Sequence, residues 1–112
     1  MEFVNETHEK MYKTLTGKLN STESGLLKIC YLLSVSDRLI FNADKIINFT
    51  GGFITPSEAE LLPLSIGERT YLAVAYNLYN GYCMAGVTLS PQGIKNALDK
   101  RLYAAYLKTL EE

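Results

Sequence analysis

The sequence contains few of the residues that build metal centres and disulfide scaffolds. It has one histidine, His8, two cysteines, Cys30 and Cys83, and no tryptophan in 112 residues. A zinc site needs about four converging histidine, cysteine or carboxylate ligands, which this set does not supply. Both cysteines lie in strongly apolar stretches, where free thiols are usually buried. We therefore predict buried, reduced thiols, no metal and no cofactor.

Motifs for phosphate binding and nucleophilic catalysis are also missing. Gly51-Gly52 lacks the lysine and the serine or threonine that complete a P-loop. His8 falls in the apolar stripe of a predicted helix, where we expect a half-buried structural role, and no activated nucleophile accompanies it. Carboxylates occur at Glu58, Glu60 and Glu68, with a spacing that indicates solvated surface. We predict that the protein is not an enzyme; an enzyme built on aspartate and glutamate alone is the third alternative.

Long apolar runs, a basic leader and a large excess of one charge are absent as well. The longest apolar run, residues 29–33, is too short to cross a bilayer, and residues 1–6 lack the pattern of a signal peptide. The formal net charge of −1 gives the whole chain no attraction for nucleic acid or anionic membrane. We expect one cytoplasmic domain spanning residues 1–112, without a membrane role.

Helical patterns dominate what is present. Ser65 stands three residues before Glu68, which predicts a capping box, and Leu64 can form half of a hydrophobic staple. The helix that follows is apolar around nearly its whole circumference, as is typical of a central helix packed on several sides. Thr55 before Pro56 predicts the cap of a further short helical turn, and Ser90 before Pro91 predicts the start of the last helix in the same way. The longer predicted helices cover residues 5–19, 23–36, 65–82 and 91–110, and residues 38–43 are either a third short helix or a kinked continuation of the second.

One segment has β character. Gly51-Gly52 lies between two β-branched and aromatic runs, which is the signal of a two-residue hairpin loop. This register would place Thr50 opposite Phe53 and Phe49 opposite Ile54. The fold class that the sequence predicts is all-α: a compact orthogonal bundle of four to five helices, with at most one minimal β-hairpin near Gly51-Gly52.

Tyrosine is abundant, with eight copies, and most of them fall on the central and last predicted helices. A buried tyrosine needs a hydrogen-bond partner, and Asn77 and Asn80 are near enough to form a tyrosine–asparagine network in the core. Alternatively, some rings reach the surface as a contact patch, because tyrosine is enriched at protein interfaces. A third alternative is a platform on which bases stack, which would need basic residues nearby. The candidate partner-binding residues are Tyr79, Tyr82, Tyr103 and Tyr106.

Basic residues are concentrated near the end of the sequence. Residues 84–110 hold four lysines and arginines against the single carboxylate of Asp99. Such an excess is usually a solvated surface, and the last helix carries little positive charge in its first turns, where recognition helices contact bases. Nucleic-acid binding is therefore an open but not favoured alternative. Its candidate contacts are Lys95, Lys100, Arg101 and Lys108.

The run from Tyr76 to Tyr82, Y-N-L-Y-N-G-Y, resembles a segment of a small uncharacterised family from Firmicute bacteria and their phages. In those proteins a similar L-A-F-N-L-Y-N-G-Y run precedes the final helix. The start F-V-N-E-T-H is similar to F-L-N-E-E-H, and shorter pieces match in order along most of the chain. The resemblance implies a bacterial or mobile-element setting and a cytoplasmic location. It implies no activity and no site residues.

Together these observations favour a small non-enzymatic interaction or accessory protein of a bacterial mobile element or phage. The expected partner is another protein or a second copy of the chain. The alternative is a nucleic-acid-binding regulator that uses the basic last helix.

Overall fold

The computed structural model describes residues 3–20, 23–84, 86–87 and 89–110. Over these residues the chain forms seven α-helices, a short 3-10 turn and one small hairpin, which confirms the predicted mainly helical fold. None of the helices in this part of the chain is long and apolar enough to cross a membrane. The elements are α1 Glu6–Thr16, α2 Ser24–Leu33, α3 Asp37–Phe41, the 3-10 turn Ala43–Lys45, β1 Ile47–Asn48, β2 Phe53–Ile54, α4 Pro56–Ala59, α5 Ile66–Asn80, α6 Pro91–Ala97 and α7 Lys100–Leu110.

The central helix is α5, as its apolar circumference predicts. Its predicted capping box is present: the Glu68 N–H donates to Ser65 Oγ and the Ser65 N–H donates to Glu68 Oε1. Residues 70–76 are all buried, and α5 packs against α2 on one side and α6 on another. The helix ends at Gly81, whose φ of 80° is a left-handed conformation that glycine adopts without strain.

The buried tyrosine hydroxyls of α5 bond to backbone carbonyls, so the predicted tyrosine–asparagine network is wrong. Tyr71 donates to the Leu32 carbonyl over 2.6 Å, and Tyr76 donates to the Ile46 carbonyl over 2.7 Å. Burial raises the pKa of both phenols. Each tyrosine therefore ties α5 to a neighbouring segment through a satisfied hydrogen bond in the core.

The hairpin exists, but the predicted register is wrong. Ile47 pairs with Ile54 and Asn48 pairs with Phe53, which leaves a four-residue loop in place of a two-residue one. The Asn48 side chain accepts a hydrogen bond from the Gly51 N–H, and this local turn starts the loop earlier than the glycine pair alone indicates.

The short helix α4 begins at its predicted place with Pro56 in its first turn. The expected cap is not formed, because the Thr55 hydroxyl donates to the Lys45 carbonyl over 2.8 Å and does not cap the helix. Thr55 thereby connects α4 to the segment that precedes β1.

The predicted helix over residues 91–110 is two helices, α6 and α7. Leu98 is extended, with φ of −88° and ψ of 137°. The Asp99 carboxylate accepts a hydrogen bond from the Leu102 N–H over 2.8 Å and so starts a new helix. The caps of α6 are as predicted: Ser90 accepts from the Gly93 N–H, and Pro91 occupies the first turn.

The first three helices start largely as predicted but end earlier. Asn5 caps α1 by accepting from the His8 N–H, and Ser36 caps α3 by accepting from the Leu39 N–H. The helix α2 ends at Leu33, so Ser36 belongs to the next helix. The helix α2 begins after Glu23, which occupies the N-cap position without a side-chain hydrogen bond to the helix.

The two cysteines differ in exposure. Cys30 is buried in α2, as predicted, and burial raises its pKa to about 12. Cys83 is exposed, so its predicted burial is wrong: the residue follows Gly81, after the end of α5.

We expect a thiol reagent such as dithionitrobenzoate to modify one thiol of the native protein. The Cys83→Ser variant should show no fast reaction, and the Cys30→Ser variant should keep it. Reaction in denaturant should reveal both thiols of the original protein. Fast labelling that persists in Cys83→Ser would contradict the burial of Cys30.

Candidate interaction surfaces

The four tyrosines predicted to bind a partner lie in three different environments. All four are half-buried. The Tyr79 hydroxyl is 3.5 Å from a Glu23 carboxylate oxygen, and its ring covers Gly25, where an added Cβ would lie 2.6 Å from Tyr79 Cδ1. Tyr82 donates to Glu60 Oε1 over 2.6 Å, and this bond raises its phenol pKa because the ionised oxygen would face a carboxylate.

The N-L-Y-N-G-Y run ends the central helix. The Asn80 side chain accepts from the Tyr82 N–H over 3.1 Å, and the Asn77 amide lies 3.5 Å from the Tyr82 carbonyl. The Tyr82 ring meets the buried Tyr76 ring edge-on, with centroids 5.9 Å apart. Through these contacts the two asparagines and Tyr82 hold the chain after Gly81 against α5 and Glu60.

The other two tyrosines, Tyr103 and Tyr106, lie on α7 with ring centroids 6.1 Å apart. Leu107 and Leu110 follow them and are 42% and 54% exposed. Tyr106 also lines a cavity of about 200 Å³ together with Leu78, an exposed leucine of α5. We name the residues Tyr103, Leu107 and Leu110, with Tyr106 and Leu78 beside them, the α7 surface.

The four basic candidates do not form one patch on one face. Lys95 lies on α6, whereas Lys100, Arg101 and Lys108 lie on α7. The first three side chains are exposed and Lys108 is half-buried. Arg101 borders two polar cavities, of about 180 Å³ and 440 Å³, which several carboxylate residues also line. The acidic residues around Arg101 are Asp37, Glu68 and Asp99.

His8 lines the smaller of these polar cavities but has no free ring nitrogen. The ring is 2% exposed; Nδ1 accepts from the Val4 N–H over 3.0 Å, and Nε2 lies 2.8 Å from the Tyr31 carbonyl. The acceptor role of Nδ1 requires the proton to be on Nε2. Burial lowers the pKa of the imidazole, and the bond to Tyr31 partly opposes this. His8 therefore connects α1 to α2. It is buried, whereas its place in the apolar stripe of the helix predicted only half-burial.

The acidic residues are dispersed. Among the described residues, no group of three or more histidine, cysteine, aspartate and glutamate side chains is placed to hold a metal ion. Glu68 serves the capping box of α5 and also lies 3.6 Å from Arg38 Nε. Glu60 accepts from Tyr82. Two of the carboxylates considered from the sequence therefore have structural partners.

A second apolar surface was not identified from the sequence. Phe41 at the end of α3 is 88% exposed, and Leu61 after α4 is 85% exposed. Leu61 lines a cavity of about 420 Å³ with Asn42, which immediately follows Phe41. Arg38 joins the two segments by donating to the Pro63 carbonyl over 3.1 Å. We name Phe41, Leu61 and this cavity the α3–α4 surface.

The comparisons identify a family but no activity. Neither the curated proteins nor the solved structures give a match to this chain. The model of DUF6075, a family of unknown function, matches residues 1–109. This match confirms the expectation of an uncharacterised family and covers nearly the whole sequence. The chain belongs to the family of unknown function DUF6075.

Proposed function

We propose that the protein is a small non-enzymatic interaction protein that binds a protein partner through the α3–α4 surface. The supporting observation is the exposure of two large apolar side chains, Phe41 and Leu61, in neighbouring segments. Apolar side chains exposed beside a cavity are a feature of protein-binding sites, where they become the buried anchors of an interface.

The edge of this surface has the polar character of an interface rim. Lys45 and Glu58 line the cavity with Leu61, and Arg38 lies beside Pro63. The charges are of both signs, so the surface has no strong preference for an anionic polymer. The partner that fits the α3–α4 surface is a protein whose own binding surface has an apolar centre and a polar rim of mixed charge.

The biological setting belongs to the same proposal. The similarity of residues 76–82 to Firmicute and phage sequences supports an accessory protein of a bacterial mobile element or phage. Such a protein would act in the cytoplasm, on a protein of the host or of the element.

The proposal is tested by affinity capture from a nuclease-treated lysate of a Firmicute bacterium carrying the element. We expect the original protein to retain a partner that the Phe41→Ser/Leu61→Ser variant loses at least about tenfold, because both anchors are removed. The matched control is Ile66→Ser, since Ile66 is also 83% exposed but lines a different cavity with Gly86, Val87 and Gly93. Equal capture by all three proteins would overturn the assignment.

Nucleic-acid binding is the second candidate, supported by the exposure of Lys95, Lys100 and Arg101. A complex through phosphates would weaken steeply as salt increases, by about one power of ten in affinity per tenfold salt for each neutralised phosphate. Filter binding of labelled DNA and RNA at several salt concentrations measures that slope. If the Lys100→Ala/Arg101→Ala variant still binds nucleic acid with the same affinity, these two side chains are not the contacts.

A further inference from the structure

We propose that the partner of the α3–α4 surface is a second copy of this chain, with Phe41 of each copy inserted into the cavity of the other across a two-fold axis. This inference rests on the proposed function and names its partner. The partner that fits has an apolar centre and a polar rim of mixed charge, and the α3–α4 surface itself has both features. The surface therefore complements a copy of itself.

The α3–α4 surface contains both a projecting side chain and a cavity. Phe41 ends α3 and is 88% exposed, so its ring projects from its own copy and does not fill the cavity beside it. The cavity of about 420 Å³ is lined by the apolar residues Leu61, Leu62 and Pro63 and by Asn42. An apolar cavity of about 150 Å³ is large enough to hold benzene, so the ring of a second copy fits this cavity in size.

A two-fold axis covers both features in both copies. Such an axis brings the same surface of two copies together, so each contact is made twice. Phe41 and the cavity lie side by side, because Asn42 directly follows Phe41. One rotation then places each ring in the opposite cavity and buries Phe41 and Leu61, the two most exposed large apolar side chains in the described part of the chain. A head-to-tail arrangement would leave one ring and one cavity uncovered.

The charges that line the cavity are also self-complementary. Lys45 and Glu58 are both exposed, and among the described residues neither is in an ion pair. The two-fold axis reverses their order in the second copy, so each lysine faces the glutamate of the other copy. Outside the cavity, Arg38 lies 3.6 Å from Glu68, and Asp44 adds one exposed negative charge beside Lys45. Opposite charges therefore meet around each inserted ring.

The size of the contact sets the strength of the dimer. The contact is built from two short segments, residues 38–45 and 58–63, so the interface is small. Interfaces below the usual size are weak and reversible. We therefore expect a dissociation constant of roughly 10 to 300 µM, which leaves both monomer and dimer at measurable levels.

Sedimentation velocity of the full chain from about 5 to 500 µM, a range that brackets this dissociation constant, tests the proposal. We expect the weight-average sedimentation coefficient to rise toward that of a dimer. Phe41→Ser should weaken dimerisation at least about tenfold, because it removes both inserted rings. Ile66→Ser is the matched control, since Ile66 is 83% exposed but lies outside this surface, and it should leave the dimer intact. Circular dichroism confirms that each variant is folded.

Mixing two charge variants tests the two-fold pairing. Lys45→Glu brings carboxylates together in the dimer and Glu58→Lys brings ammonium groups together, so each variant alone should dimerise about threefold to tenfold more weakly. An equimolar mixture should recover the affinity of the original protein, because every introduced charge then faces an opposite charge. This recovery requires the two side chains to belong to different copies.

Three results would overturn the inference. The first is a monomer at every concentration, the second is a dimer that Phe41→Ser leaves unchanged, and the third is a mixture of charge variants that dimerises no more tightly than either variant alone. If the chain is a monomer throughout but Phe41→Ser/Leu61→Ser loses a different protein from the lysate, this inference fails and the proposed function stands. A dimer unaffected by Phe41→Ser, together with equal capture by all variants, would overturn both.

Discussion

Replacing Tyr76 with alanine should lower the free energy of unfolding by about 3–5 kcal/mol, the usual loss for a large aromatic side chain in a core. Tyr76 is fully buried in α5, and its hydroxyl donates to the Ile46 carbonyl just before the hairpin. The substitution removes the ring that Tyr82 packs against and the hydrogen bond that holds the segment before β1. Urea denaturation followed by circular dichroism measures the loss.

The matched control is Tyr76→Phe, which keeps the ring and removes only the hydroxyl. We expect a loss of about 1 kcal/mol, because the Ile46 carbonyl still accepts from the Thr55 N–H over 3.0 Å. A loss from Tyr76→Ala no larger than that from Tyr76→Phe would contradict the central position of α5.

Replacing His8 with alanine should lower the free energy of unfolding by about 2–4 kcal/mol at neutral pH. The change opens a cavity where the ring lies against Tyr31 and Phe3, and it removes the acceptor of the Val4 N–H. After the substitution the Tyr31 carbonyl still accepts a hydrogen bond from the Ser34 hydroxyl, which limits the loss of stability. Thr14→Ala on the exposed side of α1 is the control and should change stability by less than about 0.5 kcal/mol.

The His8 effect should depend on pH in a defined direction. Burial lowers the pKa of native His8 below its ordinary value of 6.5, so the unfolded chain takes up the proton first as pH falls. The stabilisation is complete above pH 6.5 and is lost as pH falls toward the native pKa. The difference in unfolding free energy between the original protein and His8→Ala should therefore shrink across that window. A difference that stays constant or grows there would show that the pKa of native His8 is not lowered.

The parts of the fold that local chemistry determines were predicted well. The capping box at Ser65, the cap at Ser90 and the apolar circumference of α5 depend on residues within one or two helical turns, and the structure confirms all three. The errors arose where the hydrogen bond of one polar side chain determines which local structure forms. Asn48 set the hairpin register, and Asp99 divided the last helix.

The candidate surfaces were harder to predict because exposure depends on distant contacts. The helices α3 and α4 are too short for apolar periodicity to show which side faces solvent, so Phe41 and Leu61 carried no signal in the sequence. Tyrosine enrichment predicted a surface contact patch, whereas Tyr103 and Tyr106 on α7 are half-buried and pack against the core. It did not reveal that the phenols of Tyr79 and Tyr82 face carboxylates within the same chain.

The central claim is that the protein acts through the α3–α4 surface, and hydrogen–deuterium exchange of the captured complex tests it most directly. We predict that the partner slows exchange in residues 38–45 and 58–63 and leaves residues 100–110 unchanged. Protection confined to α6 and α7, with no change around Phe41 and Leu61, would contradict the claim.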